Sequence, residues 1–440
     1  MKIFIVTFGC KVNQYESQAI WEKFARVGWT KAASVRDADV VVVNSCTVTE
    51  ESDRKVKKAL HKIRKENSGA VVVLTGCMPQ AFSARSGFIE TVKDADIVLG
   101  NVCKYDIFAH VREFLKTKNK IVAVKAFDVR NPKFESAIIS DFSERTRAFL
   151  KIEDGCNNFC SYCIIPYARG RVRSKPIDEI FAEVKNLAQK GYKEVVLVGI
   201  NLSAYGKDIG LTLCDAVEMA CSVDGIERVR LGSLEPDQMD EAAILRLSAQ
   251  KKLCPQFHLS LQSGCDATLK RMNRTYTAED YYLVVKRLRE NFENAAITTD
   301  VMVGFAGETD EEFEESLSFV KKVGFAKVHV FAYSKRAGTR AAEFANQVDP
   351  AVKKSRSKAM IAATNSARRE FFNSQIEKTE TVLYETRDSK GFWHGHTRNY
   401  TPVVAKAATV APGLDLHSKI VLTKLIKSES DYCVGELIEN

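Results

Sequence analysis

The chain has 440 residues, enough for two or three domains, and its 45% hydrophobic content is that of a soluble globular protein. Twelve cysteines over this length are too few for a disulfide scaffold, no apolar run approaches a membrane span, and no signal-like segment opens the chain. These features point to the reducing cytoplasm, where clustered cysteines mean metal or catalysis, and the net charge of +9 suits a nucleic-acid partner.

Residues 2–6 read as a strand that ends in Thr7-Phe8-Gly9-Cys10, and residues 16–27 as an amphipathic helix stopped by Gly28. Residues 39–43 and 70–74 are continuous β-branched runs, followed by Asn44-Ser45-Cys46 and Thr75-Gly76-Cys77. A basic-faced helix over residues 50–65 lies between them; strands over 96–99 and 121–124 flank a helix over 105–116. Unbroken Val/Ile runs alternating with helices predict a doubly wound parallel sheet. Cys10, Cys46 and Cys77 each fall just past the carboxyl end of a strand. That edge is where open α/β sheets bind ligands, so the three thiols should converge on one rim. Cys103, Cys214, Cys221, Cys254 and Cys433 read instead as small buried hydrophobes. A polar stretch containing Asn131-Pro132 marks a linker.

From residue 148 strands and helices alternate through six βα units, with strands over 148–152, 194–200, 228–232, 256–261, 297–303 and 327–333. Six such units predict a partial TIM-type barrel with its chemistry at the strand carboxyl ends. The first strand leads into Gly155-Cys156-Asn157-Asn158-Phe159-Cys160-Ser161-Tyr162-Cys163, three cysteines with no fourth Cys or His beside them. A structural zinc site wants four closed ligands and a cubane iron–sulfur cluster is usually held by four thiolates. Three thiolates on a four-iron cluster would leave one iron open. A zinc knuckle or three packed core thiols is the alternative. The loop 166–175 alternates Arg169, Arg171 and Arg173 with small residues, a pattern suited to phosphate or carboxylate contact. For Arg173 and Lys175 a solvated basic loop is an equal reading.

A long Lys/Arg-rich helix over residues 352–376 precedes five short alternating strands that predict a small β-barrel. Phe392, Trp393 and Tyr400 are available to stack on bases, or to fill that barrel's core.

The CxxxCxxC spacing with Tyr162 before its last cysteine resembles the radical S-adenosylmethionine (SAM) superfamily. The segments Thr7-Phe8-Gly9-Cys10-Lys11-Val12-Asn13-Gln14-Tyr15-Glu16-Ser17, Asn44-Ser45-Cys46-Thr47-Val48-Thr49 and Thr75-Gly76-Cys77 are similar to the three cluster-binding segments of the methylthiotransferase family. Gly-Cys-Lys-Val-Asn-Gln-Tyr-Glu resembles the branch acting on threonylcarbamoyladenosine in tRNA. Gly395-His396-Thr397-Arg398-Asn399-Tyr400 resembles the recognition segment of the RNA-binding TRAM barrel. Met78-Pro79-Gln80 and Ala306 depart from the family's usual residues without touching a thiol.

The resemblance implies two 4Fe-4S clusters, one on Cys156, Cys160 and Cys163 that binds and reduces SAM, the other on Cys10, Cys46 and Cys77 that supplies or carries sulfur. It also implies SAM contacts near Tyr162, Gly199, Asn201, Glu235, Gln262, Val301 and Gly304. RNA contacts are expected from Lys11, Arg169, Arg171, His396, Arg398, Asn399 and Tyr400. The implied reaction replaces the C2 hydrogen of a modified adenine at tRNA position 37 with a methylthio group, using a flavodoxin- or ferredoxin-type electron donor and a sulfur donor. A monomer is expected, with a cluster-binding domain over residues 1–125, a linker over 126–145, a radical SAM domain over 146–372 and a TRAM domain over 373–440. The rival substrates are isopentenyladenosine in tRNA and a ribosomal-protein aspartate. A non-catalytic iron–sulfur RNA-binding protein is the alternative from another class.

Overall fold

The valine runs 40–43 and 71–73 present no polar face, and each lies fully buried inside a parallel sheet. The computed structural model describes residues 1–137, 139, 142, 145–406 and 415–438. Its first sheet contains β1 (Lys2–Thr7), β2 (Thr30–Lys31), β3 (Val40–Ser45), β4 (Val71–Gly76), β5 (Ile97–Leu99) and β6 (Ile121–Ala123). They run parallel in the order β2-β1-β3-β4-β5-β6. Successive side chains of a strand point to opposite faces. Accordingly Val41 and Val43 pack with helix α2 (Glu50–Glu66), while Val40 and Val42 pack with Ile20 and Phe24 of α1 (Lys11–Ala25). This is the expected doubly wound layer.

Details differ from the sequence reading, among them two short helices, Cys77–Phe82 and Phe88–Thr91. The short strand β2 was not expected, and α1 starts at Lys11 instead of residue 16. Asn13 is a poor helix former, but here its amide donates to the carbonyls of Phe8 (2.7 Å) and Ser45 (3.0 Å). Those bonds hold the first turn of α1 against the ends of β1 and β3.

The central strands are β7 (Arg147–Lys151), β8 (Glu153–Asp154), β9 (Arg173–Ser174), β10 (Glu194–Val198), β11 (Arg228–Leu231), β12 (Ser233–Leu234), β13 (Gln256–Leu259), β14 (Ala296–Val303) and β15 (Lys327–Ala332). The six expected strands are present, in parallel order β11-β10-β7 and β12-β13-β14-β15, with a bridge from Val229 to Leu253 between the two groups. The extra pair β8 and β9 is antiparallel and clamps the two ends of the cysteine loop.

Helix Pro350–Asn373 packs along β15 and leads to a closed barrel of β16 (Thr379–Arg387), β17 (Phe392–Thr397), β18 (Pro402–Lys406), β19 (Ile420–Ser428) and β20 (Cys433–Leu437). Trp393 lies in this barrel's core, the second of its two expected uses. The barrel is tied to the base of the central strands. Arg228 donates to Thr381 O (2.6 Å), Arg230 to Arg398 O (3.0 Å), and Arg147 pairs with Glu385 (2.9 Å). Among the described residues no helix is long and apolar enough to cross a membrane.

Candidate functional site

Cys10 caps the start of α1, Cys46 follows β3, and Cys77 opens helix α3 (Cys77–Phe82) directly after β4. The strand-end register brings them to one rim, as the sequence predicts. Gly9, at φ +100°, is needed there: a Cβ would come within 2.7 Å of Cys46 Cβ. Gly76, at φ +103°, is equally confined, since a Cβ would lie 2.5 Å from Ser45 O. Burial pushes the Cys46 thiol up to about 11. Metal binding requires the thiolate and so releases that proton.

The second trio occupies the loop between β8 and α-helical residues Ile165–Arg169. Gly155 (φ +95°) opens it, and a Cβ there would sit 1.9 Å from Arg171 O. The Asn158 amide points at Cys156 Sγ (3.5 Å), the Asn201 side-chain amide lies 3.7 Å from the same sulfur, and Arg274 donates to Cys160 Sγ (3.2 Å). Glu235 ion-pairs with that Arg274, and burial pushes Cys156 up to about 12. Sequence reasoning missed Arg274, which stands in a loop 114 residues from Cys160 with no pattern around it.

The donors fit iron–sulfur groups better than a single ion. A tetrahedral zinc site, with Zn–S bonds of about 2.3 Å, needs its sulfurs about 3.8 Å apart. Among the described residues neither trio has all its sulfurs within 4.8 Å of one another. Unpaired buried oxygens also gather at both sets: Asn44 Oδ1, Thr75 Oγ1 and Asn101 Oδ1 at the first, Glu153 Oε1 and Asn201 Oδ1 at the second. Buried polar atoms left without partners call for one. The second pair, both acceptors, suits an ammonium group.

Arg169 corrects the sequence reading. It was expected at RNA phosphate, yet it is fully buried between the two trios. Its Nε lies 3.1 Å from Cys77 Sγ, and its fork reaches Glu16 (2.5 Å), Asn13 (2.5 Å) and Asp154 (3.4 Å). Lys104 and Lys151 also pair with Glu16. Burial would raise the Glu16 carboxyl, but Arg169, Lys104 and Lys151 hold it well below the usual range. Arg173 and Lys175 are likewise buried, Lys175 on Glu183, so neither belongs to a solvated loop. Of the four cations in this loop, Arg169, Arg171, Arg173 and Lys175, only Arg171 is exposed, its guanidinium over the Phe159 ring at 5.1 Å.

The descriptions "Uncharacterized protein family UPF0004" and "Radical SAM superfamily" match residues 2–100 and 150–320 respectively. Threonylcarbamoyladenosine tRNA methylthiotransferase MtaB of Bacillus subtilis (strain 168) is 35% identical over 438 residues, 98% of this chain and 95% of its own. The chain belongs to the radical SAM methylthiotransferase family.

Other relatives of this methylthiotransferase agree. The protein of the same name from Thermotoga maritima is 38% identical over 90% of this chain and 89% of its own. The tRNA-2-methylthio-N(6)-dimethylallyladenosine synthase of Clostridium novyi (strain NT) is 35% identical over 99% and 96%. Among solved structures, the radical SAM methyltransferase TsrM from Kitasatospora setae shares the fold, with a TM-score of 0.55 at 13% identity over 75% of this chain and 72% of that one. Family membership implies a 4Fe-4S cluster and SAM.

The methylthiotransferase's expected SAM residues have mixed surroundings. Tyr162 packs edge-on against Phe305, and Val301 is fully buried. A Cβ on Gly199 would meet Glu153 Oε2 at 2.6 Å, and one on Gly304 would meet Lys353 Cγ at 2.3 Å, so packing alone accounts for both glycines. Gln262 holds φ +67° in a bridge to Val301. Asn201 and Glu235 stand beside the cysteine loop, as above.

The expected RNA segment turns inward. Arg398 donates to Lys251 O (2.5 Å) and Leu253 O (2.9 Å), and Asn399, 3% exposed, donates to Asn294 O and Gln375 Oε1. Both fasten the C-terminal barrel to the central one, which corrects their assignment to RNA. Tyr400, half-exposed at φ +70°, stacks on His396 (4.3 Å between ring centres), and Arg147 and Arg230 both lie over its ring. His396 hydrogen-bonds Glu385 at 2.6 Å. Tyr400, His396 and Lys11 line one cavity together with Cys10.

Proposed function

We propose that this methylthiotransferase acts on N6-threonylcarbamoyladenosine at position 37 of tRNA and installs a methylthio group at C2 of its adenine. Two three-thiol sets bridged by one buried arginine carry the reading, because each set leaves a coordination position for a small molecule. Cys156, Cys160 and Cys163 would hold the cluster that engages SAM; Cys10, Cys46 and Cys77 would hold a second 4Fe-4S cluster beside the substrate. When bound, these groups supply the one-electron chemistry and the methylated sulfur that side chains lack. The chain's own residues do the rest. Arg274, fixed by Glu235, donates to Cys160, while Asn201 and Glu153 offer acceptors to the SAM ammonium. Arg169 donates to Cys77 and sets the spacing of the two sets through Asp154.

The names of the MtaB relatives favour the threonylcarbamoyl substrate, as does the Lys11-bearing opening segment. The dimethylallyl reading has support from the C. novyi relative, at the same 35% identity as the B. subtilis one. An electron donor of the flavodoxin or ferredoxin class and a sulfur donor complete the reaction. The same reading divides the chain into residues 1–125, a linker, 146–372 and 373–440, and takes it as a cytoplasmic monomer.

The test gives the reconstituted, reduced enzyme and SAM a mixture of threonylcarbamoyl- and dimethylallyl-modified anticodon stem–loops. Nucleoside mass spectrometry should find methylthio mainly on the threonylcarbamoyl species, with deoxyadenosine formed alongside. Preferential modification of the dimethylallyl loop would refute the substrate, and absence of deoxyadenosine would refute the reaction.

A further inference from the structure

A cavity of about 660 Å³ runs from Cys10 into the central barrel and is closed below by the C-terminal barrel at Tyr400. Its floor is unusually polar for the inside of a barrel. In the parallel register of β13, β14 and β15, His258 lies opposite Thr298, and Asp300 opposite His329, so all four side chains share the inner face.

The hydrogen bonding among them is incomplete. His258 is saturated, with Nδ1 at Thr298 Oγ1 (3.0 Å) and Nε2 at Asp300 Oδ2 (3.3 Å). Asp300 uses that one oxygen and is 32% exposed towards the cavity; among the described residues its other oxygen has no side-chain partner. The His329 ring makes no hydrogen bond with the described residues, and the Lys11 ammonium has no carboxylate within 4.0 Å among them. The cavity therefore offers one acceptor and two donors to a ligand. The ligand atoms of His258, Asp300 and His329 lie within 4.8 Å of one another, as for a metal ion, but both nitrogens of His258 are already engaged.

We propose that this cavity binds the N6 substituent of the modified adenine and selects an anionic ureido group: Asp300 accepts from a urea N–H, while Lys11 and His329 donate to the substituent's carboxylate and carbonyl oxygens. The inference rests on the threonylcarbamoyl reading and deepens it. The cavity's contact with Cys10 leaves the adenine ring beside the proposed sulfur-bearing set, with its substituent pointing down the barrel. A dimethylallyl group has no polar atom for these three side chains. It would strip water from an ammonium, an imidazole and a carboxylate and return nothing, and a site of that kind rejects the apolar analogue strongly. Neither Lys11, adjacent to a thiol, nor His329, mid-strand, is required by the local fold. Lys11 is exposed in the first turn of α1, and His329 is exposed on a lumen-facing position of β15.

The test is fluorescence anisotropy of the full-length, iron-loaded protein with anticodon stem–loops carrying threonylcarbamoyladenosine, dimethylallyladenosine or plain adenosine. The reading is the affinity ratio of each modified loop to the plain one, so a partly misfolded sample cancels out. Lys11→Met and His329→Phe should each lower the threonylcarbamoyl ratio about tenfold or more. Lys11→Arg should keep most of it. A threonylcarbamoyl ratio unchanged in both Lys11→Met and His329→Phe would overturn the pocket and leave the substrate reading standing. A wild-type protein that prefers the dimethylallyl loop would overturn the substrate reading, and the pocket with it.

Discussion

Arg169 Nε stands 3.1 Å from Cys77 Sγ, and the other end of the same guanidinium bonds Glu16 and Asp154. Asp154 in turn accepts from the amide of Gly155, the residue before Cys156. One buried side chain thus couples the rim of the N-terminal sheet to the cysteine loop of the barrel. Burial would raise the Asp154 carboxyl, but Lys151, Arg169 and Arg173 hold it down to about 2. Replacing Arg169 with Met leaves two buried carboxylates short of a partner, and breaking such a network costs about 3–5 kcal/mol. Urea unfolding of the apoprotein should show that loss, and iron retained by the first trio should fall. Wild-type stability in Arg169→Met would show that the tie carries no load.

The cysteine sets should be separable. The wild-type protein reconstituted without oxygen should carry about eight irons, and Cys156, Cys160 and Cys163 changed together to Ala should leave about four and no SAM cleavage. The same change at Cys10, Cys46 and Cys77 should also leave about four, with deoxyadenosine formation persisting and methylthio transfer gone. A full iron complement in either triple variant contradicts the assignment of that set.

Gly155 is the backbone position on which the second set depends. An alanine there must either leave φ +95° or drive its Cβ into the Arg171 carbonyl, 1.9 Å away. Strain of this kind costs about 1–3 kcal/mol. Gly155→Ala should lower the thermal midpoint and reduce iron bound by Cys156, Cys160 and Cys163, whereas alanine at Gly210, which has open space around it, should leave that iron unchanged. Equal iron in wild type and Gly155→Ala would remove the steric argument.

Acid should loosen the joint between the two barrels. Burial alone would raise the Glu194 carboxyl, but Arg230 foremost, with Arg147 and Arg228, holds it down to about 2. An unfolded glutamate titrates at about 4.3. A depressed carboxylate contributes stability above the unfolded value, and the contribution is lost as pH falls through the folded one. The stability difference between wild-type apoprotein and Glu194→Gln should therefore shrink from about pH 4.3 down to about pH 2. A difference constant over that window would mean that Glu194 is not held by its arginines.

Much of the fold was legible because the signals are local. Unbroken β-branched runs and their regular alternation with amphipathic helices located nearly every strand of both α/β layers, and the start of α1 was missed only because Asn13 disguises it. The five-stranded closure of the C-terminal barrel followed from short alternating segments in the same way. The thiols were legible for a related reason. CxxxCxxC is a property of eight consecutive residues, and the strand-end positions of Cys10, Cys46 and Cys77 follow once the strands are known.

The charged residues were not legible. Arg169, Arg173 and Lys175 sit in a run that reads as a solvated, phosphate-seeking loop, and Arg398 and Asn399 sit in one that reads as an RNA edge. Whether a charge is buried depends on whether an opposite charge or a set of acceptors meets it, since desolvation is offset only by a partner. For Arg169 that partner is Glu16, 153 residues away; for Arg398 it is a pair of carbonyls more than 140 residues away. Sequence by itself determined the sheets, the barrels and the two sets of thiols, because backbone propensity and spacing are encoded locally. Only the tertiary structure decided which cations face solvent and which hold the layers together, because their partners lie far away in sequence.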